Sequence, residues 1–319
     1  MSMSTLILDK KAVGGLLNMP DTIKAVEQAF CDWTEGKGIM PAKSYLPLNK
    51  GDFRAMPAAL PGAAGVKWVN VHPQNRARGL PTVMAVLIYS DPETGYPLAI
   101  MDATDITAFR TGATAAIASK HLARPDSQIL GMVGAGRQAY TQIAAHAELF
   151  KFSLVRVFDI MPASVEGLIK SFPQFKITPC SLEETLKADI VCTLTPARLP
   201  VVKRAWVQPG THINAIGADA EGKEELEPSI LKSAIVVVDD LRQATAAGEI
   251  NVPITQGVYS PGEVYATLGE IIAGKKPFRR DASAVTIFDS TGVAIEDIAV
   301  AKTIYDQAKR GNYPTIELA

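Results

Sequence analysis

Three polar residues in this 319-residue sequence stand in surroundings that make their chemistry worth asking about. Arg54 lies in Asp52-Phe53-Arg54-Ala55-Met56-Pro57, and Lys67 in Gly65-Val66-Lys67-Trp68-Val69-Asn70, both in apolar company. The planar fork of an arginine binds both oxygens of a carboxylate. A lysine taken out of water gives up its proton more readily and becomes usable as an acid or base at neutral pH. Asp219 is a lone acid that follows the largely apolar run His212-Ile213-Asn214-Ala215-Ile216-Gly217-Ala218, a placement suited to meeting a ligand. Blander readings stay open: a surface ion pair for Arg54, a charge guarding an edge strand for Lys67, an ordinary loop for Asp219. Arg110, in Phe109-Arg110-Thr111-Gly112, has three readings: a phosphate contact, a substrate contact or a solvated side chain.

A second group of residues speaks through its spacing. The run Gln128-Ile129-Leu130-Gly131-Met132-Val133 leads straight into Gly134-Ala135-Gly136-Arg137-Gln138-Ala139, a G-x-G-x-x-A pattern between a strand and a helix. Gly134 permits the tight turn, Gly136 lets backbone approach a pyrophosphate, and Ala139 allows close helix–strand packing. The phosphates then sit on the N–H groups that open the helix, from Ala135 through Gln138. Asp159 stands twenty residues beyond Ala139, at the end of the next strand. A carboxylate there binds the adenosine ribose hydroxyls and repels a 2′-phosphate, which favours NAD over NADP. Arg156 and Lys151 nearby pull the other way. Ligands of such a sheet bind beyond the carboxyl ends of its strands. The turns Thr193-Leu194-Thr195-Pro196, Gly217-Ala218-Asp219 and Asp289-Ser290-Thr291-Gly292 therefore complete the expected cofactor site, with Arg110 and Thr111 at its entrance.

The elements that must hold these residues fall into two patterns. Up to about residue 120 the chain is mixed: a helix over 21–35, strands over 64–70 and 82–90, a hairpin turn at 91–95, a strand over 96–101 and a helix over 104–122. From 127 onward apolar runs at 128–133, 154–158, 189–194, 212–216, 235–238 and 285–288 alternate with helices, among them 138–149, 164–171 and 263–273. Strands alternating with helices imply a Rossmann-type, doubly wound parallel sheet. The expectation is an α/β chain with a mixed α+β dimerisation and substrate domain over 1–120 and a nucleotide domain over 121–293. The last helix, 294–309, suits either domain.

Composition excludes several classes. A formal net charge of −1 provides no field for nucleic acid or an anionic membrane. No apolar run is long enough to span a bilayer, and Asp9, Lys10 and Lys11 cut short the apolar patch at the amino end, so no export signal is expected. Cys31, Cys180 and Cys192 are scattered and odd in number, which reads as reduced thiols of a cytoplasmic protein. The four histidines have no metal-ligand spacing, so no protein-bound metal is expected.

Taken in order, several stretches resemble one known family over essentially the whole chain. They are Gly65-Val66-Lys67-Trp68-Val69-Asn70-Val71-His72-Pro73, Gly79-Leu80-Pro81-Thr82-Val83, Arg110-Thr111-Gly112, Gly134-Ala135-Gly136, His212 through Asp219, Gly248-Glu249-Ile250 and Phe288-Asp289-Ser290-Thr291-Gly292. The family is that of ornithine cyclodeaminase and mu-crystallin. Gly51 through Ala58, Met101-Asp102-Ala103-Thr104 and Val237-Val238-Asp239-Asp240-Leu241 resemble its archaeal alanine dehydrogenase branch, as does the compact end after Leu318. The resemblance implies a homodimer built through the non-nucleotide domain. It also implies that the residues matching Lys67 and Asp219 carry acid/base work, and that the one matching Arg54, with Lys67 and Arg110 as further candidates, holds the substrate carboxylate. The implied reaction is reversible, NAD-dependent oxidative deamination of L-alanine to pyruvate and ammonium. Ornithine cyclodeamination to proline and ketimine reduction are the alternatives. A non-catalytic NAD(P)H-binding crystallin is a different class, and the presence of Lys67 and Asp219 counts against it.

Overall fold

Two sheets of different character organise the chain, which a computed structural model describes over residues 4–278 and 281–318. The elements run β1 (Thr5–Leu8), α1 (Lys10–Leu16), α2 (Met19–Thr34), β2 (Ser44–Leu48), β3 (Gly51–Leu60), β4 (Ala63–Val71), β5 (Val83–Ser90), β6 (Pro97–Asp102) and α3 (Thr104–Leu122). Next come β7 (Ile129–Val133), α4 (Arg137–Leu149), β8 (Leu154–Phe158), α5 (Pro162–Ser171), β9 (Ile177–Pro179), α6 (Leu182–Thr185), β10 (Ile190–Thr193), β11 (His212–Ala215), α7 (Pro228–Ser233) and β12 (Ile235–Val238). The chain ends with α8 (Leu241–Ala247), α9 (Asn251–Thr255), β13 (Ala266–Thr267), α10 (Leu268–Ile272), β14 (Thr286–Asp289), α11 (Ala294–Ala308) and β15 (Thr315–Ile316).

The first compact unit joins the residues up to Arg110 with those from Val293 onward, and the second holds Thr111–Gly292. The division falls inside α3. The helix runs through Arg110-Thr111-Gly112 without interruption, so the sequence shows only the helix end near residue 120.

In the first unit a mixed sheet has the order β15-β1-β6-β5-β4-β3-β2, antiparallel except for the β1/β6 pair. Helix α11, which the sequence left unassigned, packs here against α2 and across β3, β4 and β5. Gly65 makes room for it: a side chain there would press on Ile298 Cδ1 at 3.0 Å and on the Ile88 carbonyl. Pairing sorts the sheet into two faces. Arg54, Met56, Lys67, Val69, Ala85 and Leu87 lie on the covered face. Leu46, Phe53, Trp68, Val86 and Ile88 lie on the other.

In the second unit all pairings of the sheet β13-β12-β14-β11-β10-β7-β8-β9 are parallel. Its register aligns Val133, Thr193, Ala215 and Asp289 in one row. The loops that follow these residues therefore start from one edge of the sheet. The helix expected over 263–273 is interrupted. Ser260 and Glu263 close a capping box on a short 3-10 turn, Ala266–Thr267 is strand, and a second box, Thr267 with Glu270, starts α10. A cap residue must be extended to receive the helix N–H groups, so Thr267 stops a helix from running through it.

Candidate active site

The glycine loop has the form its spacing implies. Gly134 takes φ +108°, a conformation that disfavours side chains, and a Cβ there would press on the Leu194 carbonyl carbon at 3.3 Å and oxygen at 3.2 Å. Gly136 is the N-cap of α4 and provides no side-chain cap to the helix start. The opening N–H groups of such a helix suit an anion. Arg137 and Gln138 open α4, and Ala139 is fully buried beneath them. The acid expected at the ribose is beside the loop: Asp159 accepts from the N–H of Ala135 at 2.7 Å and of Met161 at 2.7 Å. A bare helix start, a glycine without room for a side chain and an acid one strand away fit a dinucleotide.

Beyond β10, β11 and β14 the residues expected at the cofactor are held by buried carboxylates. Thr193 is fully buried, and its hydroxyl donates to Glu225 at 2.6 Å. The N–H and hydroxyl of Thr195 donate to the same carboxylate at 2.7 Å each, and the Gly217 N–H at 2.9 Å. Glu249 in turn accepts from the N–H groups of Glu225 and Leu226, and Asp289 from those of Glu249 and Ile250. On the neighbouring loop Asp239 takes the Thr291 N–H and hydroxyl and the Gly292 N–H, while the Ser290 N–H reaches the Ala215 carbonyl. These donors brace the ligand-edge loops from behind. Burial pushes Glu225 and, further, Glu249 above the usual carboxylate range, and pushes Asp289 up to about 8, with Asp239 adding to the effect.

Asp219 rides on the braced loop after β11. Its carboxylate meets Lys223 Nζ at 2.5 Å, and Asn251 pins the same loop through the Gly222 N–H and the Lys223 carbonyl at 3.0 Å each. Thr111 is buried, and its carbonyl accepts from Gln142.

In the first unit the basic residues are buried and paired. Lys67 is fully buried on β4, an interior strand, so it guards no edge. Its Nζ lies 2.7 Å from each carboxylate oxygen of Asp297, 230 residues away in sequence. Burial lowers Lys67 to about 7; Arg110 pushes in the same direction, while Asp297 and Glu296 oppose it. Arg110 is 6% exposed, which removes the solvated reading; its Nη1 meets Glu296 at 2.6 Å and its Nε lies 3.3 Å from Asp297. Arg54 is buried too, with Nε on Asp52 at 2.7 Å and the guanidinium 5.3 Å from the Tyr45 ring centroid.

Sequence reasoning missed Asp297, Glu296, Glu225 and Lys223. Acids in the first turn of a helix read as ordinary dipole partners. Glu221-Gly222-Lys223-Glu224-Glu225 reads as a solvated loop. Glu249 was part of a family match with no role attached.

Comparison with known proteins places this arrangement. The family model "Ornithine cyclodeaminase/mu-crystallin family" matches residues 3–312. An alanine dehydrogenase of Archaeoglobus fulgidus is 50% identical over 313 residues, 97% of each chain. The solved structure of an archaeal alanine dehydrogenase dimer with bound NAD superposes with a TM-score of 0.97 at 48% identity, covering 99% of this chain and all of that one. The Delta(1)-pyrroline-2-carboxylate reductase of Thermococcus litoralis, solved with NADH and L-proline, gives 0.94 at 36% identity over 98% of this chain and 100% of its own. By these matches the chain belongs to the ornithine cyclodeaminase/mu-crystallin family.

Proposed function

We propose that this protein is an NAD-dependent amino-acid dehydrogenase that converts L-alanine and water reversibly to pyruvate and ammonium. The observation that carries the reading is Lys67, wholly buried yet titrating near neutrality, in a chain 50% identical to an alanine dehydrogenase. The N–H groups at the start of α4, from Gly136 through Gln138, would hold the pyrophosphate of NAD, and Asp159, which the Ala135 N–H meets, the adenosine ribose. Bound NAD supplies the hydride acceptor.

The chain's own residues do the rest. Arg54, oriented by Asp52 and Tyr45, takes the substrate carboxylate and so fixes which way the Cα hydrogen points. Lys67 in its amine form accepts a proton from the substrate ammonium, which frees the nitrogen lone pair that drives hydride departure. Asp219 takes a proton from the water that adds to the resulting iminium and passes it to solvent. Lys67 returns one to the carbinolamine nitrogen, which leaves as ammonia and becomes ammonium with the proton that the carbinol hydroxyl gives up through Asp219. The sum is alanine, NAD and water going to pyruvate, ammonium, NADH and one proton.

A homodimer built on the first unit accompanies this reading. The sheet face opposite α11 exposes Leu46, Trp68, Val86 and Ile88, with Phe53 stacked on Trp68 at 5.2 Å between ring centroids. A contiguous apolar face of this kind suits burial against a second copy, and the solved archaeal alanine dehydrogenase is a dimer. Among the described residues no helix is long and apolar enough to cross a membrane. With three unbridged cysteines, residence in the cytoplasm is the setting proposed.

The likeness to the pyrroline-carboxylate reductase supports a second reading, reduction of a preformed cyclic imine by the same hydride step. A substrate panel separates the readings. L-Alanine with NAD should accumulate NADH and pyruvate, and L-ornithine with catalytic NAD should yield little proline. No NADH from alanine, together with rapid proline formation or rapid NADH use on a cyclic imine, would overturn the deaminase reading.

A further inference from the structure

Lys67, Arg110, Glu296 and Asp297 form a buried quartet of two cations and two anions, contributed by β4, α3 and α11. Such a quartet is a poor device for stability alone, because apolar residues of like volume serve as well or better. Its geometry has a different character. Lys67 Nζ and Arg110 Nε approach the same oxygen, Asp297 Oδ1, at 2.7 and 3.3 Å. Arg110 is also held by Glu296 at 2.6 Å, so its guanidinium stays beside Asp297 whatever the state of Lys67. Arginine keeps its charge throughout the accessible pH range. When Lys67 sheds its proton, the two acids therefore retain a fixed cation.

We propose that Asp297 is the positioning residue of Lys67: its carboxylate holds the amine in place, and the balance of Asp297 and Glu296 against Arg110 decides when that amine carries a proton. The other groups near Lys67 fit this account. Its cross-strand partners, Met56 on β3 and Leu87 on β5, are apolar and hold no charge that competes. Arg54, two residues from Met56 on the same face, is engaged by Asp52. Asp297 and Glu296 lie in the first turn of α11, where the helix N-terminus favours anions. The tight approach of α11 at Gly65 brings that turn onto the strand that carries Lys67. The quartet is thus a lysine held ready to exchange a proton, with one oxygen shared between the group that must change charge and the group that cannot.

The inference rests on the acid/base reading of Lys67, and the experiment keeps the two apart. The full-length enzyme is labelled with 13C-lysine, and the Cε resonance of Lys67, assigned by its loss in Lys67→Arg, is titrated alongside the pH–rate profile. In Asp297→Asn both midpoints should move to lower pH by about one unit or more, since a neighbouring anion has been removed. Asp297→Glu should restore them toward the wild-type value. Glu296→Gln should move them the same way by less, and Arg110→Gln should move them to higher pH. If Asp297→Asn does not fold, the opposite signs of the last two variants carry the test. A Lys67 resonance that titrates at the wild-type pH in Asp297→Asn, or shifts of one sign in Glu296→Gln and Arg110→Gln, would overturn the proposal. A resonance that moves while the pH–rate profile stays in place supports the proposal and removes Lys67 from the chemistry.

Discussion

Lys67 and Asp289 are both fully buried and ionisable, one in each unit, and they are kept by opposite means. Lys67 faces a carboxylate shared with a second cation, so its partners are side chains and its proton is exchangeable near pH 7. Asp289 faces the backbone N–H groups of Glu249 and Ile250, and Glu249 faces those of Glu225 and Leu226. Glu225 takes the N–H groups of Thr195 and Gly217 together with two threonine hydroxyls. Backbone donors cannot swing away, so a carboxylate held by them works as a brace. Side-chain charges can exchange partners, so a site that must move protons is better built from them. The first unit therefore sets Lys67 among side-chain charges, whereas the second holds Asp289 with backbone donors that fix its loops.

That contrast is broken most sharply at the acid/base residues. Lys67→Ala and Asp219→Ala should each lower turnover by about two to four decades while NAD binding, followed by calorimetry, survives. A folded variant with near wild-type turnover would end the acid/base assignment of that residue. Next in size is the brace. Glu225→Ala leaves the donors of fully buried Thr193 and of half-buried Thr195 and Gly217 without their acceptor, at about 1–3 kcal/mol for each group left unsatisfied. Urea unfolding should show a loss of more than ~3 kcal/mol; a loss below ~1 kcal/mol would mean the ladder carries no weight.

Cofactor choice comes third. Asp159 beside the glycine loop should favour NAD over NADP by roughly tenfold to a few hundredfold, through like charge against a 2′-phosphate. Asp159→Ser should narrow the gap, and equal affinities in the wild-type protein would remove the acid from the ribose site. The smallest effect sharpens the comparison through pH. Asp289 has its folded affinity for a proton raised to about 8, so its stabilising contribution is present at low pH and lost as pH climbs through that value. Lys67 has its folded affinity lowered to about 7, so it penalises the fold at low pH and the penalty is relieved as pH rises from about 7 toward 10. Between pH 5 and 7 the Asp289 contribution should decline by at most about 1.4 kcal/mol per pH unit. Asp289→Asn should flatten that part of the melting profile, and an unchanged slope would show that Asp289 is ionised throughout.

Much of the second unit was legible. The apolar runs at 154–158 and 235–238 are β8 and β12 as observed, and the glycine loop sits between β7 and α4. β3 was not read as a strand, although Arg54, Met56, Ala58 and Leu60 alternate inward along it. Pro57 interrupts the run, and two of its inward positions are Arg and Ala, so the period of two is hard to see. The helix expected over 263–273 failed for a local reason, since two caps seven residues apart, Ser260 and Thr267, outweigh an apolar period. Asp219 and Arg54 stood out because each is a lone polar residue in apolar company. Their partners Lys223 and Asp52 did not, because charged residues in polar stretches look alike.

What the sequence by itself determined is local. A turn that only glycine can make, the N–H groups that open a helix and the alternation of apolar runs with helices depend on residues within a few positions of one another. What the tertiary structure decided is every charge balance. Asp297 is a generic first-turn acid until α11 is laid across β4, and Glu225 is an ordinary loop acid until it is folded against Thr193. The proton affinity of a buried side chain depends on how much water it loses and which charges stand within a few ångströms. Here those charges come from 230 residues away in the case of Lys67, so no window of sequence contains them.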